Sequence, residues 1–257
     1  MILRSVTKHV KDQNWFAVFL DLMIVVFGVF IGLQVSNWNE QRAGEEQAKI
    51  LLKRVHHDLN NDSQTMQAEL DYLSVVRNYA MTAVDALNGE NEISDEQFVI
   101  GAYQASQVNN AWSSRATYNE MLSTGQINLI KNENLKSLIF AYYTVDYGTI
   151  PQLTKIAPYR EFIRGHIPVV IQDAIKEKCG DIVFYLGNNY LLKLTPTCDL
   201  DLPDEYLHET ATLIRSLPSM MFNLRLQIAI NDTKIFNYRT LVIDSEKLMA
   251  SIKKNPM

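Results

Sequence analysis

The segment FAVFLDLMIVVFGVFIGLQV, residues 16–35, decides how the chain is organised, because it is apolar over almost its whole length. As a helix rising 1.5 Å per residue, about twenty residues span the roughly 30 Å hydrocarbon core of a bilayer. Trp15 and Trp38 bracket it, and we expect both indoles to anchor it at the membrane–water interfaces. The run is longer than a signal-peptide core and lacks a small-residue cleavage site. The sequence therefore predicts a retained transmembrane helix over residues 15–38, in contact with membrane lipid.

The charges on either side of this helix predict its direction. The fourteen residues before it carry Arg4, Lys8 and Lys11 against Asp12. The far side mixes basic and acidic residues, so the bias in Lys and Arg is slight: Arg42, Lys49, Lys53 and Arg54 with Glu40, Glu45 and Glu46. A short basic tail stays in the cytoplasm more readily than it crosses the membrane. We therefore expect a single-pass protein of the bacterial inner membrane, with residues 1–14 in the cytoplasm and residues 39–257 in the periplasm.

One face of the predicted transmembrane helix carries a carboxylate and small residues. Asp21 and Gly28 are seven residues apart, and Gly32 and Ser36 follow on the same side of the helix. Glycines four residues apart let two helices approach closely in a bilayer, and a carboxylate in hydrocarbon is costly unless a neighbour binds it. We therefore expect this face to pack against a second copy of the chain or against another membrane protein.

Two long helices are predicted beyond the span, one at each end of the domain. No proline occurs between residues 41 and 87, and apolar residues recur there every seven positions before Asn88-Gly89, a common helix end. A second such pattern follows Pro218, which we expect at the first helical position. The apolar stripe, or seam, of the first helix contains Leu52, Leu59, Met66, Leu73, Ala80 and Leu87, and it is interrupted by Asp62 and Glu69. The seam of the second helix contains Met221, Ile228, Ile235, Val242 and Met249. Its alternate layers contain Leu224, Tyr238 and Ile252, and they are interrupted by Asn231 and Ser245.

Shorter helices are predicted between these two. Their expected starts are at Ser94, Ser114, Asn132, Pro151 and Pro203. We expect the helix that begins at Ser114 to end at Gly125, and the helix that begins at Asn132 to end at Gly148. Pro158 and Pro168 should divide the helical stretch that begins at Pro151. About 215 residues with 47% apolar content suffice for one core. We therefore predict a mainly α protein, in which the transmembrane helix continues into an extracytoplasmic helical bundle with one small β-hairpin.

The hairpin is predicted near residues 182–194, where two apolar runs flank a polar turn. Asn tolerates the positive φ of a type I′ turn, so we place Asn188 and Asn189 in the turn and Gly187 opposite Tyr190.

That register predicts a disulfide. Counting outward from the turn brings Cys179 opposite Cys198, and a bridge between them suits an oxidising periplasm. Pro196 would then occupy a position whose N–H should pair, so two unrelated buried thiols remain the alternative.

The sequence carries none of the common catalytic or cofactor motifs: no phosphate-binding glycine loop, nucleophile elbow, Cys-x-x-Cys pair or His-Glu-x-x-His motif. Adjacent helical side chains point about 100° apart, so His56-His57-Asp58 is a poor metal site. A net charge of −5 with interspersed signs argues against a nucleic-acid partner. We expect no metal, no cofactor and no catalytic residue.

A cluster of tyrosines offers two interpretations. Tyr142, Tyr143 and Tyr147 lie in the last part of the helix that is predicted from Asn132 to Gly148. They either belong to the core or line a groove for a partner or ligand.

The span ends in the motif Gln-Val-Ser-Asn-Trp-Asn-Glu, residues 34–40, and residues 116–130 form a second recognisable stretch. On these motifs the chain resembles a family of uncharacterised bacterial single-pass inner-membrane proteins, whose N-terminal span ends in an Asn-Trp-Asn-Glu-like motif. The resemblance covers roughly residues 10–60 and 110–145. It implies the topology given above and no activity.

Three hypotheses for function follow. The first is a non-enzymatic scaffold, adaptor or accessory subunit that acts through its periplasmic helical domain and an associating membrane helix. The second is a sensory or ligand-binding module that signals through a partner, since residues 1–14 are too short for an output domain. The third rests on residues 19–25, which resemble the spans of proton-channel subunits in Ton, Tol and flagellar-stator complexes; there Asp21 would carry protons. An enzyme comes last.

Overall fold

The computed structural model describes residues 15–90, 92–145, 147–187 and 189–255. It is mainly α-helical with one small antiparallel hairpin, so the predicted fold class is confirmed. The predicted cytoplasmic tail, residues 1–14, lies outside the described residues. In chain order the elements are α1 (Trp15–Asn88), α2 (Asp95–Gln104), α3 (Ala116–Ser123), a 3₁₀ turn (Gln126–Leu129), α4 (Glu133–Thr144), α5 (Pro151–Thr154), α6 (Tyr159–His166), α7 (Val169–Cys179), β1 (Ile182–Leu186), β2 (Asn189–Lys193), α8 (Asp204–Ser216) and α9 (Met220–Lys254).

Helix α1 is continuous for 74 residues, which is about 110 Å at 1.5 Å per residue. It contains no proline, and it ends where Gly89 adopts a φ of +73°. Its first part is exposed, and from Ala48 onwards one face is buried against the bundle. The predicted heptad seam is therefore confirmed, because the buried face includes Leu52, Leu59, Met66, Leu73 and Ala80 together with Asp62 and Glu69.

Helix α9 packs antiparallel along α1. Leu248 and Ile252, near the end of α9, share a core cluster with Leu59, in the first part of the buried face of α1. Leu224, near the beginning of α9, instead lies in the cluster that contains Ala80. The two long helices thus form the antiparallel pair around which the shorter helices pack.

Two details of the prediction for α9 are wrong. The helix begins at Met220 rather than at Pro218, because Ser219 adopts a φ of +66° between them. Its buried face also lies one residue before the predicted apolar stripe, so polar side chains enter the interior. The predicted alternate layers, Leu224, Asn231, Tyr238, Ser245 and Ile252, are buried. The other buried positions are Met220, Gln227, Lys234, Leu241 and Leu248, whereas Met221, Ile228, Ile235, Val242 and Met249 are only half-buried.

The shorter helices begin close to their predicted starts. Ser94 and Asn132 cap α2 and α4, each by accepting a hydrogen bond from a backbone N–H three residues on. Helix α4 ends at Thr144 rather than at Gly148, because the extended backbone of Val145 interrupts it. Proline opens or precedes four others: Pro151 in α5, Pro158 before α6, Pro168 before α7 and Pro203 before α8.

The hairpin forms within the predicted residues, but its register differs from the prediction. Leu186 pairs with Asn189, and Tyr185 pairs with Tyr190, so Asn189 belongs to β2 instead of the turn. Gly187 takes the positive φ, at +62°, and so provides the conformational freedom that we assigned to the two asparagines. Asn188 lies outside the described residues.

The two cysteines are joined in a disulfide, with their Cα atoms 5.6 Å apart. Cys179 is the last residue of α7, and Cys198 follows β2, so neither lies in a strand. The bond therefore forms because the end of α7 approaches the segment after β2, and not through strand register. Pro196 lies beyond β2 and removes no N–H from the ladder.

Candidate functional site

The first part of α1 is, among the described residues, the one helix long and apolar enough to cross a membrane. The window that meets this criterion has no residue buried inside the chain. Trp15 and Trp38, at its ends, are 75% and 61% exposed. The helical domain therefore leaves this apolar surface uncovered on every side.

The face predicted to associate in the membrane lies on this uncovered helix. A Cβ atom added to Gly28 or Gly32 would meet no other atom within 4 Å, so neither glycine is needed for packing inside the chain. Ser36 is exposed, and one carboxylate oxygen of Asp21 accepts no hydrogen bond from the described residues. The structure thus gives these four residues one continuous face and no partner within the described chain.

The tyrosine cluster lies in the core and does not line a groove. Tyr142 and Tyr143 are buried, with their rings edge to face at 4.9 Å, and Tyr143 stacks on Tyr118 at 4.6 Å. Tyr147 is half-buried beside them, with its ring 6.1 Å from that of Tyr142. The groove interpretation is therefore wrong, because these rings fill one another's space.

Asp62 is a buried carboxylate with a complete set of partners. The backbone N–H of Ser114 donates to Oδ1 at 2.8 Å, and the hydroxyl of Tyr142 donates to Oδ2 at 3.3 Å. Burial raises the pKa of Asp62 to about 7, although both hydrogen bonds lower it. The carboxylate therefore ties α1 to α4 and to the loop before α3.

Glu69, two turns further along the same face of α1, has no such partners. Its side chain is buried, and neither carboxylate oxygen accepts a hydrogen bond of the geometry found at Asp62, although the side chain of Asn109 lies close enough to interact with it. Lys234 of α9 is equally buried, yet its ammonium donates to the side-chain oxygen of Asn110 at 3.0 Å rather than to Glu69. Burial raises the pKa of Glu69 to about 7, while the nearby Lys234 and Asn109 lower it. Burial lowers the pKa of Lys234, and Glu69 opposes that change.

A cavity of about 230 Å³ lies beside Glu69, between α1, the loop after α2, and β2. Its polar wall consists of Thr65, Glu69, Asn109 and Asn110, and its remaining wall of Ala68, Ala111, Trp112, Tyr190, Leu191 and Leu192. The residues around this cavity therefore include one buried acidic residue, two asparagines and two aromatic residues.

The outer strand of the hairpin presents an apolar surface. All five residues of β1 are apolar or aromatic, and their side chains are between 37% and 69% exposed. A second cavity, of about 550 Å³, runs between the hairpin and residues 64–75 of α1. Exposed apolar surface of this kind commonly marks an interaction site.

Metal-binding side chains do not converge in the part of the chain that the structure describes: no three His, Cys, Asp or Glu residues could hold an ion together. His57, singled out in the sequence, instead forms a hydrogen bond with Asn61 at 3.1 Å.

Sequence reasoning treated Glu69 as an interruption of a seam and missed Lys234, Asn109 and Asn110. A signal for Lys234 was present, because it follows Gln227 by seven residues, the spacing of a core-facing position. No comparable signal exists for the two asparagines, which lie in a loop.

Comparisons of the chain with protein-family models, curated proteins and solved structures find no match. The family resemblance noted from the sequence motifs therefore stays a prediction.

Proposed function

We propose that the chain is a single-pass protein of the bacterial inner membrane that acts as a non-enzymatic scaffold, adaptor or accessory subunit. Residues 1–14 lie in the cytoplasm, residues 15–38 cross the bilayer, and residues 39–257 form a periplasmic helical domain. The face that carries Asp21, Gly28, Gly32 and Ser36 packs against a second copy of the chain or against another membrane protein.

The uncovered apolar surface of the first part of α1 carries this proposal. Exposing so large an apolar surface to water is unfavourable in free energy, whereas contact with lipid or with a neighbouring helix removes that surface from water. Glycine in a helix interior costs about 1 kcal/mol relative to alanine, and no contact within the chain compensates that cost at Gly28 or Gly32. Contact with a second helix would compensate it through close packing.

The disulfide and the hairpin support the periplasmic and adaptor parts of the proposal. Structural disulfides persist in oxidising compartments, and cytosolic thiols are kept reduced, so the Cys179–Cys198 bond favours a periplasmic domain. The exposed apolar side chains of β1 offer that domain a surface for a partner.

Helix association is tested by enlarging the two glycines in the full chain. We expect chemical cross-linking in native membranes to capture the unaltered chain in a complex, and the double variant Gly28→Leu/Gly32→Leu to lose it. The matched control, Val26→Leu/Phe30→Leu, alters the opposite face of the same helix and should keep the complex. Recovery of the monomer alone from the unaltered chain would contradict the proposal, as would equal effects of the two double variants.

The topology has a separate test. A reporter that is active only in the periplasm, fused after residue 257, should be active, and a reporter that is active only in the cytoplasm should be silent. The reverse pattern would contradict the proposed direction and would leave the helix-association result unaffected.

A further inference from the structure

A basic cavity lies where the end of α9 meets the first buried turns of α1. Its volume is about 300 Å³, at the lower end of the range of pockets that bind small molecules. Lys49, Lys53 and His56 line it from α1, at positions i, i+4 and i+7, so they share one face of that helix. Lys253 lines it from α9. No acidic side chain of the described residues lines the cavity, so its charge is of one sign.

Two of the three lysines have no anionic partner in the part of the chain that the structure describes. Lys49 forms an ion pair with Glu46 at 2.9 Å, whereas Lys53 and Lys253 form none there. Like charges four residues apart on a helix repel each other, as do like charges that face one cavity. An anion bound between them would replace this repulsion with attraction.

His56 brings a hydrogen-bonding nitrogen to the same cavity. Its Nε2 atom is buried and has no hydrogen-bond partner among the described residues. Burial lowers the pKa of His56, and the positive charge of Lys253 lowers it further. The imidazole is therefore neutral at pH 7, and a neutral imidazole donates one hydrogen bond from a ring nitrogen. An anion in the cavity would supply the acceptor that Nε2 lacks.

The remaining wall of the cavity is apolar. Leu52 of α1 and Ile252 of α9 line it, and both are buried in the core. Lysine side chains extend their aliphatic stems along such a surface while the ammonium groups stay in water. The cavity therefore suits a ligand with an anionic end and a short apolar end.

The two unpaired lysines favour an anion with two charges. A phosphate monoester carries about −1.5 to −2 charges at pH 7 and presents three acceptor oxygens, whereas a carboxylate carries a single charge. A cleft lined by one sign of charge also concentrates counter-ions of the opposite sign. A phosphate monoester therefore matches Lys53, Lys253 and the Nε2 atom of His56 better than a carboxylate does.

The position of the cavity along α1 argues against a membrane lipid as the source of the phosphate. At 1.5 Å per residue, the helix rises about 16 Å from Trp38 to Lys49 and about 22 Å from Trp38 to Lys53. Lipid head groups extend only about 5–8 Å beyond each side of the hydrocarbon core. The ligand therefore comes from solution. This step alone rests on the membrane topology proposed above.

We propose that this cavity binds a small, soluble phosphate monoester with a short apolar substituent. Lys53 and Lys253 bind its phosphate oxygens, and the Nε2 atom of His56 donates a hydrogen bond to one of them. Leu52 and Ile252 contact the apolar substituent. The site goes beyond the scaffold function proposed above, because it gives the helical domain a ligand of its own.

The test is calorimetric titration of the full chain in phosphatidylcholine nanodiscs. The probes are n-butyl phosphate, inorganic phosphate, n-butanol and n-butylamine. We expect n-butyl phosphate to bind saturably and at least about fourfold more tightly than inorganic phosphate, since burial of one CH₂ group contributes about that factor. Butanol and butylamine should not bind. Anionic phosphatidylglycerol in place of phosphatidylcholine should change the affinity by less than about twofold, because the head groups do not reach the cavity.

The lysines are tested with a matched pair of double variants. Lys53→Gln/Lys253→Gln removes the two unpaired charges and should weaken binding of n-butyl phosphate by at least about tenfold. The control, Lys176→Gln/Lys178→Gln, removes the same charge from exposed positions of α7 outside the cavity and should leave binding unchanged.

Four outcomes would overturn the proposal in chains whose folding circular dichroism verifies. They are the absence of saturable n-butyl phosphate binding, equal binding of n-butylamine, equal effects of the two double variants, and loss of binding in phosphatidylglycerol, which would mean that a lipid head group occupies the cavity. None of these outcomes bears on helix association or on the direction of the chain, which cross-linking and the reporter fusions measure separately.

Discussion

Asp62 and Glu69 lie seven residues apart on the same buried face of α1, yet their surroundings differ. Asp62 accepts one hydrogen bond from a backbone N–H and another from a tyrosine hydroxyl, so both of its oxygens are paired. Glu69 accepts no hydrogen bond of that geometry, although the side chains of Lys234 and Asn109 are both close enough to lower its pKa. Burial nevertheless raises the pKa of each carboxyl to about 7.

The difference separates a carboxylate that is held by hydrogen bonds from one that lies beside a buried lysine. Burial is the largest cause of the raised pKa at both positions, so the pKa does not distinguish the two carboxyls. The partners are what distinguish them. At Asp62, hydrogen bonds fix the loop before α3 and the end of α4 to the long helix, whereas at Glu69 the interacting groups are the side chains of Asn109 and the buried Lys234. Three measurements test this difference between the two carboxylates.

The largest expected effect is on the pH dependence of the free energy of unfolding, to which the two carboxylates contribute in the same direction. Their folded-state pKa values of about 7 exceed the values near 4 expected in an unfolded chain. The folded state therefore binds more protons than the unfolded state in this interval, so stability is highest near pH 4 and falls as the pH rises to about 7. Each pKa unit corresponds to about 1.4 kcal/mol, so the free energy of unfolding should fall by several kcal/mol.

Urea unfolding of the full chain in detergent, measured at several pH values, checks this slope. His56 titrates in the opposite sense, because burial lowers its pKa, so the carboxylates are isolated by comparison with variants. Asp62→Asn and Glu69→Gln should each remove part of the slope. A slope that neither variant changes would show that other groups govern the pH dependence.

The second effect concerns the hydrogen bonds of Asp62. Asp62→Ala leaves the N–H of Ser114 and the hydroxyl of Tyr142 buried without an acceptor, which we expect to lower the free energy of unfolding by about 3 kcal/mol. Stability should be measured below about pH 7, where the carboxyl of Asp62 is protonated and its burial carries no penalty for a charge. The control Asp71→Ala removes an exposed carboxylate and should change stability by less than about 0.5 kcal/mol. Equal effects of the two variants would mean that the hydrogen bonds of Asp62 contribute nothing.

The helical framework could be predicted from sequence because its signals are local. Heptad spacing located the buried face of α1, and capping residues such as Ser94 and Asn132 marked the starts of shorter helices. The phase of α9 was missed because the prediction followed its apolar residues, while Lys234 and Gln227 occupy the buried positions. Apolar patterning is a weak guide wherever a core contains polar groups.

The site beside Glu69 could not be predicted, because its parts come from distant segments. Asn109 and Tyr190 are brought to α1 only by the packing of a loop and a hairpin, and the hairpin register itself was wrong. Glycine and asparagine both tolerate positive φ, so the sequence Gly187-Asn188-Asn189 allows more than one turn. The disulfide pairing was obtained despite that error, because the two cysteines meet outside the strands.

The smallest expected effect has the opposite sign and tests the comparison most directly. Replacing the buried charges together, in Glu69→Leu/Lys234→Met, removes two desolvated groups. We expect the free energy of unfolding to rise by about 1–2 kcal/mol, because well-packed apolar residues often match or exceed a buried ion pair in stability. Lys234→Met alone should destabilise the protein, since it leaves Glu69 without a neighbouring positive charge. If the double variant instead loses about as much stability as Asp62→Ala, then Glu69 and Lys234 are structural, and the contrast between the two carboxylates disappears.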